Sequence, residues 1–279
     1  MELSGYSDQA TKVASMGWFC LILFPLLTIP TLLLVPDSHT KPGVTIPWRE
    51  ALKVLLVNRL MWRLLMADLA AGFGIGVSGA LYIFIATAYF ELAEHASIAL
   101  LFYFVTGFLA MPLWLKLAYA LGKDNAMKVA LLYMTVINLA LIPLAESGNV
   151  VVLWGFTILF GAGFGAPPTL IRSMMADISD EDELKMGQQR PGLFFALLTT
   201  TNKLGAAFAV GASFTILELA FNFVPGGDNG PAALQGLLVT YSLGTALGLF
   251  CAFLPLIAYP LNKSAHDEIR RQLDLPAHT

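Results

Sequence analysis

Lys203 is the one cation in the apolar run from Leu193 to Phe223, Thr199 precedes it by four residues, and Asn202 lies alongside. Residues four apart share a helix face, so a hydroxyl and an amine fall on one stripe. That stripe suits a hydroxyl-rich solute. A helix rises about 1.5 Å per residue through a bilayer core about 30 Å thick, which puts the Lys203 amine near mid-membrane. An ammonium at that depth is costly and marks function; the other reading is a lysine paired with a neighbouring carboxylate or snorkelling to an interface. Thr199 either meets a ligand or bonds its own helix carbonyl. Asn202 either meets a ligand or bonds a neighbouring helix. Trp154 either stacks on a solute ring or anchors the outer interface.

A second charged group precedes this run. Asp177, Asp180, Glu181, Asp182 and Glu183 are flanked by Arg172, Lys185 and Arg190. They form a charged gate at one membrane face, or a solvated run in which each exposed pair is worth about 0 to 1 kcal/mol. Two further carboxylates lie inside apolar runs. Asp68 is a cation or proton relay, or pairs with Arg63 or a loop; Glu218 is a relay, or reaches interfacial water. Gly161, Gly163 and Gly165 precede Pro167 and Pro168, a composition that allows close backbone approach and then breaks the hydrogen-bond ladder. This segment is the expected hinge. Gly72, Gly76, Gly244 and Gly248, in two small-xxx-small pairs, read as packing faces.

These residues require membrane-spanning helices to position them. The chain is 57% hydrophobic and 13% charged, against about 25% charged in soluble domains. Apolar runs of 18 or more residues predict seven spans, near 13–35, 62–90, 97–120, 126–145, 150–175, 193–223 and 232–260. The fold class is therefore all-α, a polytopic membrane protein with seven transmembrane helices. Residues 48–59 read as a surface amphipathic helix or as a charged linker. Fourteen of the sixteen Lys and Arg residues fall in alternate joints and the tail, which predicts an outside N-terminus and a cytoplasmic C-terminus in the cell (inner) membrane. Cys20 and Cys251 lie in apolar runs and do not suggest a disulfide. Nothing resembles a hydrolytic triad, a metal cluster or a phosphate loop, and no basic patch suggests nucleic acid. An enzyme is not expected.

Seven spans with an outside N-terminus also describe receptors and rhodopsins, but a retinal lysine would sit in the last helix and Lys203 sits in the sixth. The string Met174-Met-Ala-Asp-Ile-Ser-Asp-Glu-Asp-Glu-Leu-Lys-Met-Gly187, followed by Gly192-Leu-Phe-Phe-Ala-Leu-Leu198 and Lys203-Leu-Gly-Ala-Ala207, resembles the signature of the glycoside-pentoside-hexuronide:cation symporters. These are the melibiose-type sugar transporters of the major facilitator superfamily. Asn58-Arg59 and Pro112-x-Trp-x-Lys116 extend the resemblance more loosely. Pro191 departs from it, standing where the family often has glutamate.

The resemblance implies helices six to twelve of a twelve-helix fold. Residues 1–60 would be the last helix of an N-terminal half plus a central linker, 61–262 a six-helix C-terminal half, and 263–279 a cytoplasmic tail. It implies Asp177, Asp180, Glu183, Lys185 and Arg190 as a cytoplasmic gate, and Lys203 and Thr199 as contacts between solute and cation sites. The implied function is cation-coupled symport of a sugar-like solute, with sodium or a proton as coupling ion and no other cofactor. The cation carboxylates of such proteins lie in the half not present here, so the expected partners are the bilayer, the solute, and a missing half or second membrane chain. Other readings are a non-transporting scaffold or regulatory half, or a lysolipid carrier of the same superfamily.

Overall fold

The computed structural model describes residues 9–34, 58–186, 191–261 and 263–274. Most of the expected surface helix at 48–59 lies outside them, as does Arg190. Among the described residues the chain forms nine α-helices: α1 Gln9–Leu34, α2 Arg59–Phe84, α3 Ala93–Leu121, α4 Lys123–Leu144, α5 Val150–Phe164, α6 Ala166–Met186, α7 Pro191–Phe221, α8 Pro231–Phe253 and α9 Lys263–Asp274. Seven helical segments are long and apolar enough to cross a bilayer, with α5 and α6 making one segment, Val150–Lys185. The chain divides into two compact units, Met1–Gly43 and Val44–Thr279. The first contributes α1, an apolar helix holding Pro25 and Pro30. Cys20 and Cys251 are both free thiols.

Local sequence explains where the helices of the second unit begin. The Asn58 side chain accepts from the backbone N–H groups of Leu60 (3.1 Å) and Met61 (3.0 Å), and that of Asn149 accepts from Val152 (3.1 Å). Both satisfy donors that a helix start leaves unpaired. Pro191 opens α7, where its missing N–H costs nothing. A single residue, Gly122, separates α3 from α4 at φ 92°, a backbone region that side chains disfavour.

The fifth span corrects one expectation. The acidic stretch after residue 175 is helical to Met186 rather than a loop. No Gly or Pro interrupts residues 169–186, and Lys185 pairs with Glu181 across one turn at 2.6 Å, which supports helix. Charge ends the apolar run without ending the helix.

In the second unit α2 packs most extensively against α7 and α8. Lipid tails are as apolar as leucine, so association rests on close packing and interhelical hydrogen bonds. Small residues supply the closeness. A Cβ at Gly72 would lie 2.7 Å from the Asn202 carbonyl, one at Gly76 2.8 Å from Ala206 Cα, and one at Gly248 2.5 Å from Gly74 Cα. The expected glycine pairs are therefore points of helix contact.

Candidate functional site

A cavity of about 120 Å³ between α2, α6 and α7 brings together Asp68, Arg172, Thr199, Asn202 and Lys203. Asp68 is buried, at 4% exposure. Its two oxygens accept from α7, one from Thr201 Oγ1 at 2.9 Å and the other from Asn202 Nδ2 at 3.2 Å. This corrects the pairing of Asp68 with Arg63, whose Nη1 instead donates to the Ala258 carbonyl at 2.9 Å. Arg63 is five residues before Asp68, about 140° around the helix, and so faces elsewhere.

Thr199 Oγ1 donates to the Phe195 carbonyl of its own helix at 2.9 Å. Its proton is engaged, while its lone pairs remain available to a donor in the cavity. Asn202 spends an amide proton on Asp68. Lys203 is exposed on this face, and among the described residues no carboxylate forms an ion pair with it. Arg172 Nη1 donates to the Pro168 carbonyl at 3.2 Å. The cavity thus holds two basic side chains and one carboxylate already supplied with neutral donors. It can hydrogen-bond hydroxyls and attract negative charge.

Gly165 lies at the break between α5 and α6, and Pro167 and Pro168 occupy the first turn of α6. All three glycines of the expected hinge are also contact points, a Cβ at Gly165 lying 3.0 Å from the Gly107 carbonyl oxygen. A Cβ at Gly161 would meet Tyr103 and Thr106 of α3, and one at Gly163 would meet Met134 of α4. Trp154 is not part of the cavity. Its Nε1 donates to His95 Nδ1 at 3.4 Å, and its ring lies 5.2 Å from that of Phe102, which ties the start of α5 to α3.

Asp177 and Asp180 find partners on other helices, while Glu181 takes the expected Lys185. Asp177 bonds Lys123, the first residue of α4, and lies 3.2 Å from His266 Nε2 on α9. Asp180 is 3.1 Å from the same nitrogen. Arg172 stands about 140° from Asp177 on α6, so it faces the cavity and not the cluster. Lys185 bonds Glu181, while Glu183 has interactions of its own. The segment read as a tail therefore forms helix α9, docked on α6 through His266. Within α9, hydrogen bonds from Arg271 (3.0 Å) and Gln272 (2.8 Å) hold the exposed Glu268 carboxyl below the usual carboxylate range.

Comparison with known proteins decides the family, since the MFS/sugar transport protein model matches residues 2–263. The chain belongs to the MFS/sugar transport protein family. This MFS/sugar transport chain is 26% identical over 254 residues to an uncharacterized symporter of Synechocystis sp., covering 85% of the chain and 45% of that protein. It is 23% identical over 164 residues to an uncharacterized symporter of Bacillus subtilis, covering 59% of the chain and 35% of that protein. The chain spans less than half the length of these curated relatives. It is a multi-pass membrane protein of a transporter family.

Sequence reasoning reached the Thr199–Lys203 stripe of this MFS chain but left Asp68 and Arg172 unconnected to it. A signal was available for Asp68: it lies four residues before Gly72 and eight before Gly76, on the face by which α2 meets α7. Thr201 escaped notice because its role exists only in the pair with Asp68.

Proposed function

We propose that this chain forms one wall, equivalent to helices six to twelve, of a secondary transporter that carries a sugar-like solute by cation-coupled symport. The cavity shared by Asp68, Arg172, Thr199, Asn202 and Lys203 carries this reading. Hydrogen-bonding and charged groups are gathered inside membrane-spanning helices, where they are expensive and mark solute or ion pathways. Lys203 acts as the charged link between solute and cation, and the coupling ion, sodium or a proton, is held jointly with carboxylates of the facing half. The break at Gly165 lets α5 and α6 tilt separately during alternating access. The Lys123–Asp177–His266 cluster serves as the gate at the cytoplasmic face.

The test is uptake into proteoliposomes. The chain alone is expected to show no gradient-driven sugar accumulation above empty vesicles, because one wall cannot alternate against nothing. Paired with the portion of the Synechocystis symporter that it does not cover, it should accumulate at least one labelled sugar under a sodium or proton gradient. Robust uptake by the chain alone would overturn the half-transporter reading. A paired complex that accumulates no sugar under either gradient would sink symport.

Orientation is also part of this proposal. The alternation of basic joints places the N-terminus outside and α9 in the cytoplasm of the cell membrane. Single cysteines in intact cells check it. A cysteine at Gly148 should react with a membrane-impermeant maleimide and one at Lys263 should not, and the reverse labelling would refute the assignment.

A further inference from the structure

A second cavity, of about 300 Å³, lies between α2, α3, α5 and α8, and its walls are chiefly aromatic. Phe156 and Phe160 stack with 5.6 Å between centroids and 14° between planes, Tyr103 tilts 39° from Phe160, and Tyr241 stands 67° from Phe156. The cavity is therefore lined by rings set at several angles to one another, surroundings that suit a flat π-system. Its hydroxyls are largely engaged already. Ser78 and Tyr241 bond each other at 3.2 Å, Tyr82 donates to the Ala96 carbonyl at 3.2 Å, and Thr157 donates to the Leu153 carbonyl at 2.7 Å. A sugar ring placed here would lose its water hydrogen bonds without equivalent replacements.

This cavity and the polar one share walls with a space between them. A third space of about 250 Å³ shares Ile75 and Phe164 with the aromatic walls and Asp68, Pro168 and Asn202 with the polar walls. Asp68 and Ile75 are seven residues apart on α2, about 10 Å along the axis. Beyond Ile75 the surroundings become aromatic.

We propose that the aromatic cavity is a second subsite, one that takes a flat aryl substituent of the solute while the hydroxylated part lies toward Asp68 and Lys203. The proposal rests on the symport reading and narrows its solute to hydroxylated molecules bearing an aromatic group. Gly79 provides the means to test it: it lines the cavity, and a Cβ added there meets nothing within 4 Å. Gly79→Leu thus adds bulk at the cavity wall with no clash at its Cβ, and leucine is the better helix former.

The experiment measures binding to the purified 279-residue chain in phosphatidylcholine nanodiscs, corrected for empty discs. The probes are 2-naphthyl, hexyl and methyl β-D-glucoside. The naphthyl probe is expected to bind about tenfold or more tightly than the other two. Gly79→Leu should remove that advantage while leaving the helical circular dichroism unchanged, and Phe160→Ala should reduce it. Equal binding of naphthyl and methyl probes overturns the subsite. So does hexyl binding as tight as naphthyl, which would make the cavity a site for alkyl chains, or a Gly79→Leu protein that keeps the naphthyl advantage. Because the measurement is of binding, its failure strikes the subsite alone; failed uptake by the paired complex strikes the symport reading.

Discussion

Lys203→Met is expected to lower concentrative uptake by the paired transporter roughly a hundredfold, as follows from the cost of about 2 to 5 kcal/mol for truncating one partner of a desolvated charge pair. The substitution keeps much of the side-chain volume and removes the charge. Lys203 lines the polar cavity with Asp68 and Arg172, among the described residues it forms no ion pair, and on the proposed function its anionic partner comes from the solute or the facing half. Lys203→Arg retains charge in a different geometry and should also lose coupled accumulation. Membrane insertion should survive both changes, since the side chain is exposed on this unit. Normal sodium- or proton-driven uptake by Lys203→Met, measured beside the unchanged complex, would make Lys203 a structural or snorkelling residue.

Gly205→Leu should strongly destabilise the folded state where Gly211→Ala, on the same helix, does not. A Cβ at Gly205 would press against the Leu69 carbonyl oxygen and lie 2.9 Å from the Phe73 backbone nitrogen, whereas at Gly211 it meets nothing within 4 Å. Backbone atoms of α2 cannot swing aside as a side-chain tip can. Relief requires separating α2 from α7, with a cost of about 3 kcal/mol or more, the upper end of overpacking effects. Gly211→Ala should be neutral or gain up to about 1 kcal/mol from helix propensity. Size-exclusion profiles and thermal unfolding in detergent distinguish the two. A monodisperse Gly205→Leu protein with unchanged Tm would show that the α2–α7 seam is looser than described.

The seven spans were legible because bilayer thickness imposes a minimum apolar length, and the glycine pairs because close backbone approach leaves a sequence mark. The end of α6 was not, since acidic residues from Asp177 onward resemble a joint by composition although nothing among them breaks a helix. The Thr199–Lys203 stripe was readable from helical period alone. Asp68 with Asn202 was not: the two are 134 residues apart, and their meeting depends on the register in which α2 and α7 pack. The same holds for His266 and Asp180, separated by 86 residues. Local periodicity reports which residues share a face, and it is silent on which face meets which.

Asp177 serves two basic neighbours on different helices, Lys123 on α4 and His266 on α9. Within a lineage, losing Asp177 would take the carboxylate from Lys123, whereas His266 would keep Asp180 at 3.1 Å. Position 177 is therefore expected to change in step with position 123, while position 266, with a second carboxylate in reach, is freer to vary.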